Sequence, residues 1–428
     1  MSPIPPSAHP DLLPGAGERG ASRALRAVGE ACLVLMPLAM WLANRSAPLM
    51  LGLAAAAFLG AALLTGPAAA IAARLRRLLA AMPAPIVAAF LAWALVSIGW
   101  SHRPPSSLQA WGELVLPVVL ALAIAVSGQW RPAPRLLRAL ALAIIVAAAL
   151  VMVELASGLS QRAALGTGKM MAFVFNRPAI VLLLLAVPTV HGLWSRPAGW
   201  PDRALAALLA AVVLVFVFRS ESEAAKLGAL VLMLCWTLAA LAPRLALAAT
   251  ALAFVLTMAL APVLGPMAER LVPSFVLDRL DVMSARARID IWDSFGEVAR
   301  ARPIAGAGFG TSATMHEHEV AAEVSAAHRT LLGVGHPHDM PLQAWAETGA
   351  IGAGLLTLAG LLLLAGLRRR PAPELAPRLA LFAAAFAIAA VGHGAWQGWW
   401  IAALGAAILW FGSDATIDAA PRQGDHHG

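Results

Sequence analysis

Charged residues are scarce in this chain: Asp, Glu, Lys and Arg make up 13% of its 428 residues. A soluble domain carries about a quarter. Hydrophobic residues make up 60% of the sequence, and apolar runs of about 20 residues recur along it, as in membrane-spanning helices. The composition therefore excludes an ordinary soluble enzyme. It predicts an all-α, polytopic membrane bundle with one large loop.

Cysteine and lysine are nearly absent. Cys32 and Cys235 both fall in apolar runs, so the sequence predicts neither a disulfide framework nor a cysteine metal site. Lys169 and Lys226 are the only lysines, and the net charge of +8 comes almost entirely from arginine. Arginine in the connections of a membrane protein accounts for this excess, so we expect no nucleic-acid binding. The first apolar run starts only near Val28 and is followed at once by another, which argues against a cleavable signal peptide.

The apolar runs predict about twelve transmembrane helices. Their expected ranges are 28–43, 47–66, 84–100, 112–127, 136–156, 171–192, 204–218, 223–241, 244–264, 341–367, 376–393 and 396–412. Nine helices thus occupy residues 28–264 and three occupy residues 341–412. The long connection 265–340 lies between these two groups.

Arginine in the short connections predicts the orientation. One set of alternate connections holds sixteen arginines, whereas the other set holds Arg45, Arg103, Arg162, Lys169 and Arg219. The positive-inside rule makes the first set cytoplasmic. Both termini are then cytoplasmic, and loop 265–340 is periplasmic if the chain resides in the inner membrane of a Gram-negative bacterium. The polar tails 1–27 and 413–428 are expected to be cytoplasmic and disordered.

Loop 265–340 gathers polar groups that the spans lack. It holds seven arginines, ten acidic residues and five of the eleven histidines. Within it, 284–300 places Ile291, Trp292, Phe295 and Val298 at helical spacing, which predicts an amphipathic helix packed on the bundle or the membrane surface. The glycine-rich stretch GAGFGT, 306–311, lacks the strand context of a nucleotide-binding loop and is interpreted as a turn.

His338 is the first candidate for chemistry. It ends the loop just before a predicted span, with Asp339 as a possible N-cap and Pro341 in the first turn. A histidine titrates near neutral pH and can accept a proton from an attacking hydroxyl. The alternative is a histidine that only packs or caps at the helix start.

The two His-x-His pairs, at 316–318 and 336–338, are the second candidate. Histidines two positions apart share a face only on an extended segment, and no i, i+4 carboxylate–histidine pattern accompanies them. We therefore predict no metal and assign His336 a supporting role beside His338.

Four cations are candidates for holding phosphate, since arginine presents a planar fork of donors. They are Arg288 and Arg329 in the loop, and Arg219 and Lys226 in the segment FRSESEAAKLGAL, 218–230. Lys226 falls inside a predicted span, where a charge suggests a function. The alternatives are surface ion pairs for the arginines and an interfacial position for Lys226.

The order of three motifs resembles a known family. RIDIW at 288–292, ARPIAGAGFG at 301–310 and HPHDMPLQAWAETGAIG at 336–352 are similar to the signature of the O-antigen ligase and O-antigen polymerase superfamily. In the ligases a histidine and a small polar residue precede nine residues, Gly, two residues and Gly. His338, Asp339, Gly349 and Gly352 fit that pattern.

Two positions depart from the family pattern. Asp339 stands where the family usually has Asn, Ser or Gln, and its charge either strengthens His338 as a base or only caps the helix. The ligases also carry an Arg-x-x-x-Leu motif in an earlier external segment. Here Lys226 and Leu230 keep that spacing, and Arg219 offers an alternative cation.

The resemblance implies a GT-C-like fold and glycosyl transfer without a cofactor. The implied donor is a glycan on undecaprenyl diphosphate, and the implied acceptor is a hydroxyl of lipid A–core. Membrane lipids surround the protein and both substrates. His338 would be the catalytic base, and Arg288, Arg219, Lys226 and Arg329 would bind diphosphate. An O-antigen or exopolysaccharide polymerase is the alternative function. A transporter or flippase fits less well, because it would need charged groups deep within several spans.

Overall fold

The computed structural model describes residues 16–166, 170–195, 199–271 and 285–412. Within these ranges the chain forms seventeen α-helices and short 3₁₀ turns, with no strand. The helices are α1 Ala16–Leu42, α2 Ala47–Thr65, α3 Ala68–Ala80, α4 Ala84–Ser97, α5 Pro104–Ser127, α6 Pro134–Ala156, α7 Ser160–Ala164, α8 Asn176–Ser195, α9 Trp200–Arg219, α10 Glu223–Leu241, α11 Pro243–Leu260, α12 Leu264–Leu271, α13 Ala285–Ala301, α14 Ala326–Arg329, α15 Met340–Leu367, α16 Ala372–Val391 and α17 Gly398–Trp410.

The all-α, multi-pass architecture predicted from the apolar runs is confirmed, and a helix lies at each of the twelve expected positions. Among the described residues, ten helices are long and apolar enough to cross a membrane by themselves. The third expected span is the short helix α4, which is bent by 85° from α3 and counts as an eleventh span only together with it. The twelfth is α17, with 13 residues. At 1.5 Å per residue, α17 extends roughly 20 Å, which is less than a membrane core.

Helix α1 begins earlier than expected. It starts at Ala16, so residues 16–27 are helical rather than part of a disordered tail. Packing against α2 explains the difference: the Ser22 hydroxyl donates to the carbonyl oxygen of Ala61, and Leu25 contacts Gly60. The rest of the predicted N-terminal tail and the tail 413–428 lie outside the described residues.

Helix α8 passes through the centre of the bundle. Most of its side chains are buried, from Pro178 to Thr189, and it packs against α6, α9 and α17. Its first residues, Asn176 and Arg177, therefore enter the interior from the end of the bundle at which residues 261–271 and 285–339 lie, termed here the loop end.

The predicted amphipathic helix is confirmed as α13, Ala285–Ala301. Ile291, Phe295 and Val298 are buried on one face. They form a core with Met315 and with Leu342 in the first turn of α15. The loop is thereby fixed to the start of the span that follows His338.

The glycine-rich segment is a turn, as predicted, and it docks into a break in α15. The break lies at Gly349, which has φ of 63° and ψ of −165°. Backbone N–H groups of Ala307 and Gly308 donate to the carbonyls of Ala346 and Glu347 at 2.8 and 2.9 Å. A Cβ at Gly306 or Gly349 would collide with the opposite backbone. The second and third sequence motifs therefore bind each other.

Candidate active site

A cavity of about 540 Å³ opens at the loop end of the bundle. Its walls come from the α1–α2 and α9–α10 connections, the start of α8, helix α13, His338 and the segment between α16 and α17. The lining residues are Asn44, Arg45, Phe173, Val174, Asn176, Arg177, Ile180, Glu221, Ser222, Glu223, Ala224, Arg288, His338, Val391, Gly392, His393 and Trp399. We call it the cation cavity, because Arg45, Arg177 and Arg288 all line it.

His338 faces this cavity with one ring nitrogen fixed. Its Nδ1 lies 2.8 Å from the carbonyl oxygen of Gly392. A carbonyl only accepts, so Nδ1 carries the proton and Nε2 of the neutral ring keeps its lone pair. The backbone of His338 has φ of +53°, an uncommon value for a residue with a side chain. This geometry presents Nε2 as a base.

The pKa of His338 is lowered from the ordinary value of 6.5, first by burial and then by the nearby positive charge of Arg288. The hydrogen bond to Gly392 opposes these effects. A lowered pKa keeps the imidazole neutral at pH 7, which is the state that a general base requires.

His336 supports the unusual backbone of His338. Its Nδ1 accepts the backbone N–H of His338 at 3.2 Å, and the two rings lie 4.0 Å apart between centroids. Burial, with the neighbouring His338 and His393, lowers the pKa of His336 to about 3. His336 is therefore a neutral, fixed hydrogen-bond acceptor at physiological pH.

Asp339 caps helix α15. Its carboxylate oxygen Oδ1 accepts the backbone N–H of Leu342 at 2.7 Å, and the residue is only 2% exposed. Burial raises the pKa of Asp339 from 3.8 to about 7, partly offset by the bond from Leu342. The carboxyl group thus changes charge near neutral pH, directly beside the candidate base.

Replacing Asp339 by asparagine is expected to remove one contribution to the pH dependence of stability. The folded state binds the Asp339 proton more tightly than the unfolded chain, so its contribution is greatest below pH 4 and declines as pH rises toward about 7. Asparagine keeps the N-cap without titrating. Thermal midpoints of the purified wild type and Asp339→Asn are measured from pH 4 to 8, and the wild-type midpoint should fall relative to that of Asp339→Asn as the pH rises toward 7. A constant difference between the two thermal midpoints across this pH range would contradict the proposed titration of Asp339.

Arg288 and two unpredicted arginines supply the positive charge of the cavity. The guanidinium of Arg288 donates to the carbonyl oxygen of Val391 at 2.9 Å, at the end of α16. The guanidinium of Arg177 lies over the Trp399 ring at 5.6 Å from its centroid. Among the described residues, Arg45 and Arg177 make no ion pair or hydrogen bond. Most donors of these three groups are available to a ligand.

The other three predicted phosphate-binding cations lie elsewhere. Lys226 pairs with Glu223 at 2.7 Å, one turn earlier on the same helix. Arg329 donates to the carbonyls of Ala322 and Val324. Arg219 is exposed at the end of α9. None of the three lines the cation cavity, so only Arg288 of the four predicted cations is brought together with His338.

His393 is a further residue that sequence reasoning missed. Its ring packs between Trp399 and Trp400, with centroids 4.6 and 4.7 Å away. Nδ1 contacts the carbonyl oxygen of Gly394, whereas Nε2 is buried without a partner among the described residues. Burial lowers the pKa of His393 to about 4, with a further contribution from Arg177. His393 lines the cation cavity, and the low pKa keeps its ring neutral at pH 7.

One sequence signal could have identified Arg177. It stands with Asn176 at the start of an apolar run, and an ionisable residue inside a span is costly unless it faces protein or a polar cavity. His393 ends the expected span 376–393 and carries the same signal, whereas Arg45 lies in a short connection between spans and carries none.

The comparisons with known proteins bear on residues 205–357. A family model described as O-Antigen ligase matches this segment, which contains Arg288 and His338 but not Arg45, Arg177 or His393. No curated protein matches the chain. The matched segment holds the three motifs, the docked turn and the start of α15. Together with the multi-pass helical bundle, the match supports assignment of this chain to the O-antigen ligase and polymerase superfamily.

Proposed function

We propose that the protein is an O-antigen ligase, which transfers a glycan from undecaprenyl diphosphate to a hydroxyl group of lipid A–core. The observation that carries the proposal is the arrangement of the cation cavity. A neutral imidazole with an available Nε2 faces the same space as three guanidinium groups. The imidazole can take the proton from a hydroxyl nucleophile, and the guanidinium groups can stabilise the negative charge of a diphosphate leaving group.

The reaction is a single inverting displacement. The acceptor oxygen attacks the anomeric carbon of the donor sugar, and its proton passes to Nε2 of His338. The new bond joins the acceptor oxygen to the anomeric carbon, while the bond from that carbon to the diphosphate oxygen breaks. The electron pair of that bond remains on the lipid diphosphate. The imidazolium then releases its proton to water, and the step needs no metal or cofactor.

The arginines act on the leaving group and on the base. Guanidinium groups stabilise the negative charge that grows on the departing diphosphate. The charge of Arg288 lowers the pKa of His338. A bound diphosphate neutralises that charge and makes His338 a stronger base. Donor binding thus prepares the site for proton transfer.

The membrane setting agrees with this chemistry. We propose an inner-membrane protein with both termini in the cytoplasm and the loop end in the periplasm, as the arginine distribution favours. The carrier lipid then presents its diphosphate at the level of the cation cavity. Sugars extend toward the periplasm, and the hydrocarbon chain stays in the bilayer.

Reconstitution with defined substrates tests the proposal. The purified full-length protein in proteoliposomes is supplied with carrier-linked glycan and with lipid A–core from the same strain. A ligase transfers glycan to lipid A–core. Lengthening of the carrier-linked glycan instead would show a polymerase, and the absence of both products would rule out the proposed transfer.

Replacing Arg288 or Arg177 by alanine is expected to lower kcat for transfer by roughly 10²-fold, the size of effect seen when one donor to a developing negative charge is removed. Arg329→Ala is the matched control, because Arg329 also donates to backbone carbonyls but lies outside the cavity. Initial rates at saturating donor provide the measurement. A loss in the control as large as that in Arg288→Ala would contradict the assignment.

A further inference from the structure

A second cavity of about 390 Å³ adjoins the cation cavity. The two cavities share Arg45 and Trp399 as lining residues. The remaining walls of the second cavity come from the start of α2, the middle of α5 and the start of α17, through Pro48, Glu113, Leu116, Pro117, Gln397 and Gly398.

Contacts between helices place Glu113 near the membrane surface. A Cβ at Gly398 would lie 3.2 Å from the carbonyl oxygen of Glu113 and 3.7 Å from Pro48. Pro48 is the second residue of α2, so Glu113 is level with the first turn of that span. The preceding nine residues of α5 extend roughly 13 Å farther along the helix axis. Glu113 is therefore at the depth where lipid headgroups lie.

The polar groups of the second cavity suit hydroxyl groups. The exposed side chain of Glu113 makes no hydrogen bond or ion pair within the part of the chain that the structure describes. Gln397 accepts from the Trp399 indole through its oxygen, which leaves its amide N–H groups available. A carboxylate accepts hydrogen bonds from hydroxyl groups but repels a diphosphate. This chemistry contrasts with the three arginines of the cation cavity.

Apolar surface continues from the polar groups toward the bilayer. Leu116 is 55% exposed, one turn farther into the span than Glu113, and Pro117 and Pro48 lie beside it. An amphiphile with a sugar headgroup at Glu113 would place its hydrocarbon chain along Leu116. The shape and polarity of the cavity thus match a glycolipid held at the membrane surface.

We propose that the second cavity binds the sugar headgroup of the acceptor glycolipid and delivers its hydroxyl past Arg45 and Trp399 to His338. This inference rests on the proposed transferase function, because it assigns the second substrate of that reaction. Donor and acceptor then approach through separate cavities whose charges discriminate between them. Arg45, at the boundary, contacts the donor diphosphate from one side and acceptor hydroxyl groups from the other.

Two substitutions test the site kinetically. Glu113→Gln replaces the carboxylate that accepts hydrogen bonds from sugar hydroxyl groups with a weaker, neutral hydrogen-bond acceptor. Leu116→Trp fills the apolar part of the cavity. Each is expected to raise KM for lipid A–core about tenfold, equivalent to about 1.4 kcal/mol, while KM for the carrier-linked donor stays constant. Val119→Trp is the matched control, since Val119 is similarly exposed on α5 but does not line the cavity. An unchanged acceptor KM in both variants, or a raised donor KM, would overturn the assignment.

Photo-crosslinking tests binding without requiring turnover. Full-length protein with p-benzoylphenylalanine at Leu116 or at Val119 is reconstituted in proteoliposomes with lipid A–core or with the carrier-linked donor, and irradiated. Lipid A–core should be captured at Leu116 and not at Val119. Capture of the carrier-linked donor at Leu116, or of neither lipid, would refute the acceptor site. If the wild-type protein transfers no glycan, yet the variant with the photoreactive residue at Leu116 captures lipid A–core, the proposed function fails and the binding site stands.

Discussion

Replacing His338 by asparagine is expected to lower the rate of glycan transfer by roughly 10²–10⁴-fold, the usual contribution of a general base. Asparagine adopts positive φ more readily than most residues, so it suits the backbone value of +53° at this position. Its side chain has no basic nitrogen that could take the proton from the attacking hydroxyl group of the acceptor. The substitution thus removes the base while the surrounding structure is retained.

His316→Ala provides the comparison for this variant. His316 belongs to the same loop and is half exposed, but it does not line the cation cavity. Both variants should elute as the wild type does in size-exclusion chromatography, and donor binding should persist in both. Only His338→Asn should lose transfer under saturating donor and acceptor. Transfer at the wild-type rate in His338→Asn would falsify the role of His338 as base.

The spans and the amphipathic helix follow from local patterns, which is why they could be predicted. An apolar run of about 20 residues has few stable alternatives to a membrane helix. Helix α13 was predicted because its apolar residues repeat at helical spacing. The early start of α1 was missed because it depends on a contact between Ser22 and Ala61. Such tertiary packing leaves no periodic pattern in the sequence.

The candidate site was only partly predictable, for a related reason. His338 and Arg288 lie in motifs that could be recognised from residue order. Arg45 lies in the α1–α2 connection and Arg177 in the first turn of α8, both far from His338 in the sequence, and the packing of α8 in the centre of the bundle brings them together in one cavity. The spacing of residues along the sequence does not predict that these distant side chains come together in the fold.

Lys226 is a predicted phosphate-binding residue that the structure places in a local ion pair. Its position in an apolar run suggested a functional charge, but the residue pairs with Glu223 one turn away. Glu223 lines the cation cavity, so Lys226 neutralises a carboxylate that would otherwise repel a diphosphate. A local i, i+3 pair was visible in the sequence and could have been weighed against the functional interpretation.

Glu347 holds together the two motif segments that carry the site, although the sequence suggested no role for it. The side chain is fully buried and receives four hydrogen bonds. The donors are the backbone N–H groups of Gly310 and Ser312, at 2.7 and 3.3 Å, and the side chains of Gln343 and Trp396, at 2.9 and 2.7 Å. One carboxylate thereby links the glycine-rich turn, α15 and the segment before α17.

Replacing Glu347 by leucine is expected to prevent recovery of folded protein. Each buried donor left without a partner costs about 1–3 kcal/mol, so four of them cost about 4–12 kcal/mol, which is comparable with the roughly 5–15 kcal/mol that stabilises a typical domain. Glu347→Gln should be milder, because its amide oxygen still accepts while its N–H₂ faces two former donors. In detergent, the thermal midpoint of Glu347→Gln is expected to lie below that of the wild type, whereas Glu347→Leu should yield no folded protein to melt.

Glu374→Gln is the control for these variants. Glu374 lies in the first turn of α16, is half exposed, and pairs with Arg370. Exposed pairs contribute about 0–1 kcal/mol, so its loss should barely shift the midpoint. Folded, monodisperse Glu347→Leu with a midpoint equal to that of Glu374→Gln would contradict the structural role of Glu347. The docked glycine turn would then be held by its backbone contacts with α15 alone.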